Sequence, residues 1–150
     1  MTTVSDYIYV GPEVIDPRDG HAFVGCPEAG AVAQFLGTVR NHNDGAAVAG
    51  LAYEAYREMA EAQIRKITDA ARARWGVLGT HTVHRIGALD IGDVAVCVTV
   101  SSAHRDDAFA ACRFIIDEVK QSAPIWKNEM LTDGAERWVE NPVGESPPKR

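Results

Sequence analysis

The chain has 150 residues, 46% of them hydrophobic and 24% charged; that is enough apolar side chain for the core of one domain, and it excludes a chain that is mainly disordered. Lys plus Arg number 15 against 21 Asp plus Glu, for a formal charge of −6. With no basic run longer than two residues, broad nucleic-acid binding is excluded, because such binding draws its affinity from neutralised phosphates; a local cationic pocket remains compatible with the net charge.

Residues 7–10 read as a strand ended by Gly11-Pro12. Residues 13–29 are weakly patterned, with a short helix as the reading. Residues 30–36 form a strand stopped by Gly37, and Arg40-Asn41-His42-Asn43-Asp44-Gly45 is a loop by its Asn, Asp and Gly content. Residues 48–56 are the next strand. A helix over 57–75 follows, with Ala60, Ile64, Ile67, Ala71 and Trp75 on one face and Gly76 and Gly79 as its stop. Residues 80–86 are a strand turned by Gly87. Residues 93–100 alternate, with Val94, Val96, Val98 and Val100 on one side and Ala95, Cys97 and Thr99 on the other. The second helix covers 105–120, with Phe109, Cys112, Ile116 and Val119 as its buried stripe, Asp106 and Asp107 in its first turn, and Pro124 beyond its end. Residues 125–130 and 136–140 are short closing strands. The order predicts an α+β fold with a mixed or antiparallel sheet. Residues 1–140 are expected to form one domain, and the Pro-rich polar tail 141–150 to fray.

No uninterrupted apolar stretch approaches the ~18 residues of a membrane span. The start, Met1-Thr2-Thr3-Val4-Ser5-Asp6, lacks the regions of a signal peptide, so the cytoplasm is the expected compartment. Cys26, Cys97 and Cys112 are odd in number and widely spaced, which argues against a disulfide framework or a zinc ribbon. Cys97 and Cys112 are expected in the core. His81 and His84 are three apart on a strand and so face opposite sides. They are expected to be partly exposed and not to share a metal; no metal site is predicted.

Two segments stand out chemically. Ser101-Ser102-Ala103-His104-Arg105 passes from a strand into a helix, where free N–H groups favour anions and His104 and Arg105 add a titratable donor and a fixed cation. Read blandly, Ser102 is an N-cap and the two side chains are solvated. Lys120 and Lys127 bracket a Pro124-Ile125-Trp126 turn. A lysine desolvated there becomes a better proton donor or nucleophile; alternatively, both lysines lie on the surface with their stems on apolar neighbours. Arg40 with Asn41, His42 and Asn43 forms a third polar group, equally readable as a solvated turn.

The segments Gly37-Thr38-Val39-Arg40-Asn41-His42-Asn43, His84-Arg85-Ile86-Gly87, Ser102-Ala103-His104-Arg105, Lys120, Pro124-Ile125-Trp126-Lys127-Asn128-Glu129 and Arg137-Trp138-Val139 form one collinear series. In it the chain resembles the large, catalytic subunit of molybdopterin synthase. The resemblance implies an α/β hammerhead-type domain with an additional small antiparallel β subdomain. It implies a sulfurtransferase that converts cyclic pyranopterin monophosphate into molybdopterin, adding two sulfurs from the C-terminal Gly-Gly thiocarboxylate of a ubiquitin-like small subunit. It also implies a homodimer within a 2+2 heterotetramer, with no cofactor or metal in this step. On this resemblance Lys120 and Lys127 are the catalytic pair, and Thr38, Val39, Arg40, His104, Arg105, Asn128 and Glu129 bind substrate. Thr38 stands where some members carry a lysine, and Asn128 where some carry a basic residue. Two other classes remain at this point: another phosphate-handling enzyme using His104 and Arg105, and a non-enzymatic module for a ubiquitin-like protein.

Overall fold

The computed structural model describes residues 5–139. The elements are β1 (Asp6–Gly11), α1 (Pro17–Val24), β2 (Ala31–Thr38), β3 (His42–Asn43), β4 (Ala46–Ala55), α2 (Arg57–Arg74), β5 (Val77–Arg85), β6 (Gly87–Asp90), β7 (Val94–Ser102), α3 (Arg105–Ser122), β8 (Ile125–Leu131) and β9 (Glu136–Val139). The α+β class holds. The expected tail, 141–150, lies outside the described residues. No helix among the described residues is long and apolar enough to cross a membrane.

The larger unit is a four-stranded sheet in the order β1-β5-β7-β2. β1 runs parallel to β5, and the other pairs are antiparallel. Val96, Val98 and Val100 of β7 pack with Ile64, Ile67 and Ala71 of α2 and Ala111, Ile115 and Val119 of α3 in the main core. The opposite face is covered by α1, where Gln34 Nε2 donates to the Pro17 carbonyl and the Thr99 hydroxyl. The central strands are therefore covered on both faces. That is why His81 and His84 are buried rather than partly exposed as expected, at 7% and 3% accessibility. Cys97 and Cys112 are buried as expected.

The second unit is a five-stranded antiparallel sheet, β3-β4-β8-β9 with β6 beside β4. Two of its strands, β3 and β6, escape sequence reading. β3 has only two residues within the loop segment, and β6 follows at once on Gly87, which reads as a turn. Asn43 pairs with Ala46 around Asp44 (φ 47°) and Gly45 (φ 76°), a two-residue hairpin with both central residues left-handed. Asp-Gly is the dipeptide that adopts this turn most readily.

One helix face departs from expectation. The buried stripe of α3 is Ala108, Ala111, Cys112, Ile115, Ile116 and Val119, while Phe109 is 66% exposed. One residue past Ala108 turns the helix by about 100°, which carries Phe109 off the core and onto the flank beside β2.

Candidate active site

At the junction of the two sheets lies a cleft of about 190 Å³ that brings the ends of β2 and α3 together with β3, β4 and β8. Its rim begins at a register shift between Gly37 and Thr38, where β2 leaves its regular pairing with β7. Such a bulge re-aims the residues that follow it. Gly37 is required there, because a Cβ would sit 2.5 Å from Cγ1 of Val96. Beyond the shift Val39 is pinned through Val39 N to Asp93 O (2.9 Å) and Gly92 N to Val39 O (2.7 Å). Val39 is buried, while Thr38 and Arg40 stay exposed at the cleft.

Lys120 reaches the cleft from the last turn of α3, and Lys127 and Glu129 from one face of β8. Strand alternation puts Lys127 and Glu129 on the same side and Trp126 and Asn128 on the other. Glu129 is 2% exposed. Its Oε1 accepts Arg137 Nε (3.0 Å) and Nη2 (2.6 Å), and its Oε2 accepts Asn43 Nδ2 (2.9 Å). Lys127 Nζ lies 3.8 Å from the same Oε2. Burial works against the charge on Glu129, but the hydrogen bonds from Arg137 and Asn43 and the nearby cations outweigh it, so the carboxyl is held below its usual range. Lys120 is an exposed residue by surface area, yet protein packed around its ammonium, with the charge of Lys127 second, lowers its pKa. The desolvation inferred from sequence therefore falls on Lys120, and Trp126 does not share a face with Lys127.

The cleft also holds three groups not expected there as substrate or catalytic residues: His42, Asn43 and Tyr53. Burial, and then the charge of Glu129, push the Tyr53 phenol up to about 12, so it remains protonated at neutral pH. The polar group that Asn43 forms with Arg40, Asn41 and His42 was the available signal for it; nothing in the sequence places Tyr53. Behind Tyr53 its ring meets His84 edge-on, with centroids 4.8 Å apart. His84 Nδ1 donates to the Arg85 carbonyl at 2.9 Å, the tautomer being set by that acceptor. Burial pushes His84 down to about 4, the carbonyl bond opposes this, and Lys120 adds to it.

That shift has a measurable consequence. Between about pH 6.5 and 4 the unfolded chain takes up a proton at this position and the native protein does not, so stability falls as pH drops through that window. Urea unfolding is expected to show a loss of about 2 kcal/mol between pH 7 and pH 5. His81, whose pKa burial also lowers, adds to the slope in the same direction, so a His84→Gln variant should lose the His84 share of about 2 kcal/mol and keep the remainder; an unchanged slope would reassign the effect.

Three of the expected substrate residues lie elsewhere. Asn128 is fully buried on the far face of β8, with neither amide atom hydrogen-bonded, so a ligand in the cleft cannot touch it. The resemblance places it in one motif with Lys127 and Glu129, but the two-residue strand period separates it from them. His104 and Arg105 are exposed at the opposite end of α3, with Arg105 about 22 Å along the helix from Lys120 at 1.5 Å per residue. His104 occupies the N-cap without a side-chain cap bond, and Ser102 donates to the Gly76 carbonyl instead of capping the helix. Among the described residues no group of three or more His, Cys, Asp or Glu is placed to hold a metal ion.

Comparison with known proteins gives a consistent answer. The family model described as MoaE protein matches residues 10–122. A molybdopterin synthase catalytic subunit from Thermoplasma volcanium is 44% identical over 135 residues, 90% of this chain and 98% of the relative. The crystal structure of molybdopterin synthase from Staphylococcus aureus superimposes with a TM-score of 0.83 at 38% identity, covering 89% of this chain and 96% of that one. The fold also matches a chain in the complex of subunits 1 and 2 of molybdopterin-converting factor from Helicobacter pylori, with a TM-score of 0.68 at 22% identity and 90% of each chain covered. A different phosphate-handling enzyme and a non-enzymatic module are both set aside by these matches. The chain belongs to the MoaE family, the catalytic subunits of the sulfurtransferase molybdopterin synthase.

Proposed function

We propose that the cleft binds cyclic pyranopterin monophosphate, and that the chain installs two sulfurs on it as the dithiolene of molybdopterin. The sulfurs come from the C-terminal thiocarboxylate of a ubiquitin-like small subunit. The observation that carries this reading is the convergence of Arg40, Lys120 and Lys127 on one cleft in a chain of net charge −6. A cyclic phosphate calls for a guanidinium partner, which Arg40 provides. Opening that ring and expelling oxygen call for proton donors, and a lysine whose pKa is lowered toward neutrality donates more readily; Lys120 has that property. Transfer from a thioacid develops charge on oxygen, which the Lys127 ammonium is placed to stabilise.

The small subunit's tail enters in extended form near residues 124–129, by backbone pairing and a cleft. The Helicobacter pylori structure is a complex of subunits 1 and 2 of molybdopterin-converting factor, which supports a protein partner for this chain. Incubation with the pterin precursor and a thiocarboxylated small subunit should give a product whose mass shows two sulfurs gained and the expelled oxygen lost. A small subunit lacking its terminal Gly-Gly should give none while retaining some binding through its globular part. Full transfer from the truncated partner would sink the tail mechanism.

The 22 Å gap along α3 is resolved by a second copy. At about 190 Å³ the cleft falls below the ~300 Å³ lower end of small-molecule sites, as half a site should. The outer edge of β2 is unpaired among the described residues and carries exposed Val32, Phe35 and Leu36, with Phe109 of α3 alongside. A groove of about 400 Å³ runs between β2 and α3 there, bordered by Arg113 and Asp117. Arg113 and Asp117 pair with each other along α3 at 3.5 Å, both exposed, and such a pair can exchange partners with its own copy across a two-fold contact. Gly30 N to Ser102 O (3.0 Å) ties the start of β2 to the approach to α3, while Thr38 and Lys120 share the cleft at the other ends. Antiparallel pairing of β2 with the second copy's β2 therefore carries the second copy's α3 start toward the cleft of the first. We propose a homodimer of this form within a 2+2 heterotetramer, with His104 and Arg105 completing the site of the other chain.

A further inference from the structure

We infer that Asn43 is a positioning residue for the reaction, acting through Arg40 and Glu129; this rests on reading the cleft as the pterin site. Its side chain bridges a cation and an anion. Oδ1 accepts Arg40 Nη2 at 3.1 Å, and Nδ2 donates to Glu129 Oε2 at 2.9 Å. Its carbonyl accepts Arg137 Nη2 at 3.0 Å, so the residue is held from both its main chain and its side chain. The amide orientation is fixed by these partners, because the reverse would aim an N–H at a guanidinium and an oxygen at a carboxylate. Only a side chain with a donor and an acceptor on one short stem fills this place. The left-handed Asp44-Gly45 turn that follows sets Asn43 at the head of the hairpin.

Each arm controls a group of the proposed chemistry. The bond to Asn43 is the one hydrogen bond that exposed Arg40 makes among the described residues. Without it a long guanidinium side chain regains its rotamer freedom, and the anion site loses its set geometry. On the other side, Asn43 occupies the Glu129 oxygen that lies 3.8 Å from Lys127 Nζ. With that oxygen freed, Lys127 can close onto Glu129 and withdraw from the cleft. Arg137 on Oε1 still anchors Glu129 in that case, so the effect falls on Lys127 and not on the carboxylate's burial.

The test uses the complex with thiocarboxylated small subunit. Asn43→Ala is expected to raise KM for the pterin about tenfold and to lower kcat, the scale of a lost orienting contact. In an Arg40→Ala background the same change should add less than about twofold to KM, since residues that act as a unit are non-additive. Multiplication of KM by the same factor in both backgrounds overturns the Arg40 arm. Asn43→Asp keeps the turn preference but has no N–H for Glu129, and it should lower kcat about tenfold; kcat within twofold of the unaltered protein overturns the Glu129 arm. A third measurement needs no turnover. The ¹⁵N relaxation of the Arg40 guanidinium should report fast motion in Asn43→Ala and order in the parent. Equal order in both defeats the inference even if the pterin reading stands, whereas a difference in order in a parent that converts no pterin overturns the pterin reading and leaves only the hold of Asn43 on Arg40.

Discussion

Replacing either Lys120 or Lys127 by alanine is expected to lower dithiolene formation by at least about a hundredfold, the scale for losing a positioned acid or a charge stabiliser. The two lysines are not equivalent. Lys120 has its pKa lowered by burial of the ammonium and then by Lys127, which suits it to proton transfer. Lys127 is 28% exposed and stands 3.8 Å from a carboxylate oxygen that Asn43 already holds, so it remains available to a ligand as a cation. Stability should change by only about 0.5 kcal/mol in either variant, the range for side chains outside the core. Glu129 keeps Arg137 at 2.6 Å when Lys127 is removed, so no buried carboxylate is stranded. Because Lys127 contributes to the lowered pKa of Lys120, its removal should also move the Lys120-dependent limb of the residual pH profile to higher pH. Near-normal activity in both variants would remove the lysine mechanism. A lost activity accompanied by a collapsed thermal transition would instead place the lysines in the fold.

The elements with strong periodicity were legible in the residues, and so was their approximate extent. Ile64, Ile67 and Ala71 on α2, and the alternating valines of β7, report burial directly because side-chain direction follows the backbone period. What the pattern does not carry is context outside the element. His81 and His84 look like ordinary strand histidines until α1 and the second sheet close over both faces of β5. Phe109 reads as core because it is large and apolar. The helix spends that position on an outer flank, where a second chain rather than its own core would cover it. The site follows the same division. Lys120, Lys127, Arg40 and Glu129 could be named from a family resemblance and do share a cleft. Asn128 was named on the same resemblance, and a strand's two-residue period sends it to the other face. Tyr53 and Asn43 escaped because each acts through its partners, Tyr53 between His84 and the cleft and Asn43 between Arg40 and Glu129. The contacts of Tyr53 with His84 and of Asn43 with Glu129 join segments far apart in the chain.

Mixing two inactive variants is expected to restore activity. Arg105→Ala removes a residue from one end of α3 and Lys120→Ala from the other, about 22 Å apart along one helix. A pterin-sized ligand spans only about half that distance, so within one protomer both long side chains would have to bend toward the middle of the helix to reach it. If the second copy docks antiparallel along β2 and α3, each cleft takes Lys120 and Lys127 from one chain and His104 and Arg105 from its partner. Each variant dimer alone then has two damaged sites. A mixed dimer has one site with both residues intact and one with neither. Random reassociation makes half the dimers mixed, each with one working site of two, so about a quarter of the parental activity should return to the mixture and about half to the isolated mixed dimer. The exchange must be driven by coexpression or by refolding together, with the mixed dimer isolated through two different affinity tags. The same preparation made from two Lys120→Ala chains should stay inactive, which separates complementation from a refolding effect. If each site lies within one chain, every site in the mixed dimer keeps its lesion and no activity returns. That result would also require α3 to bring its two ends to the ligand by some route other than the straight helix of Arg105–Ser122.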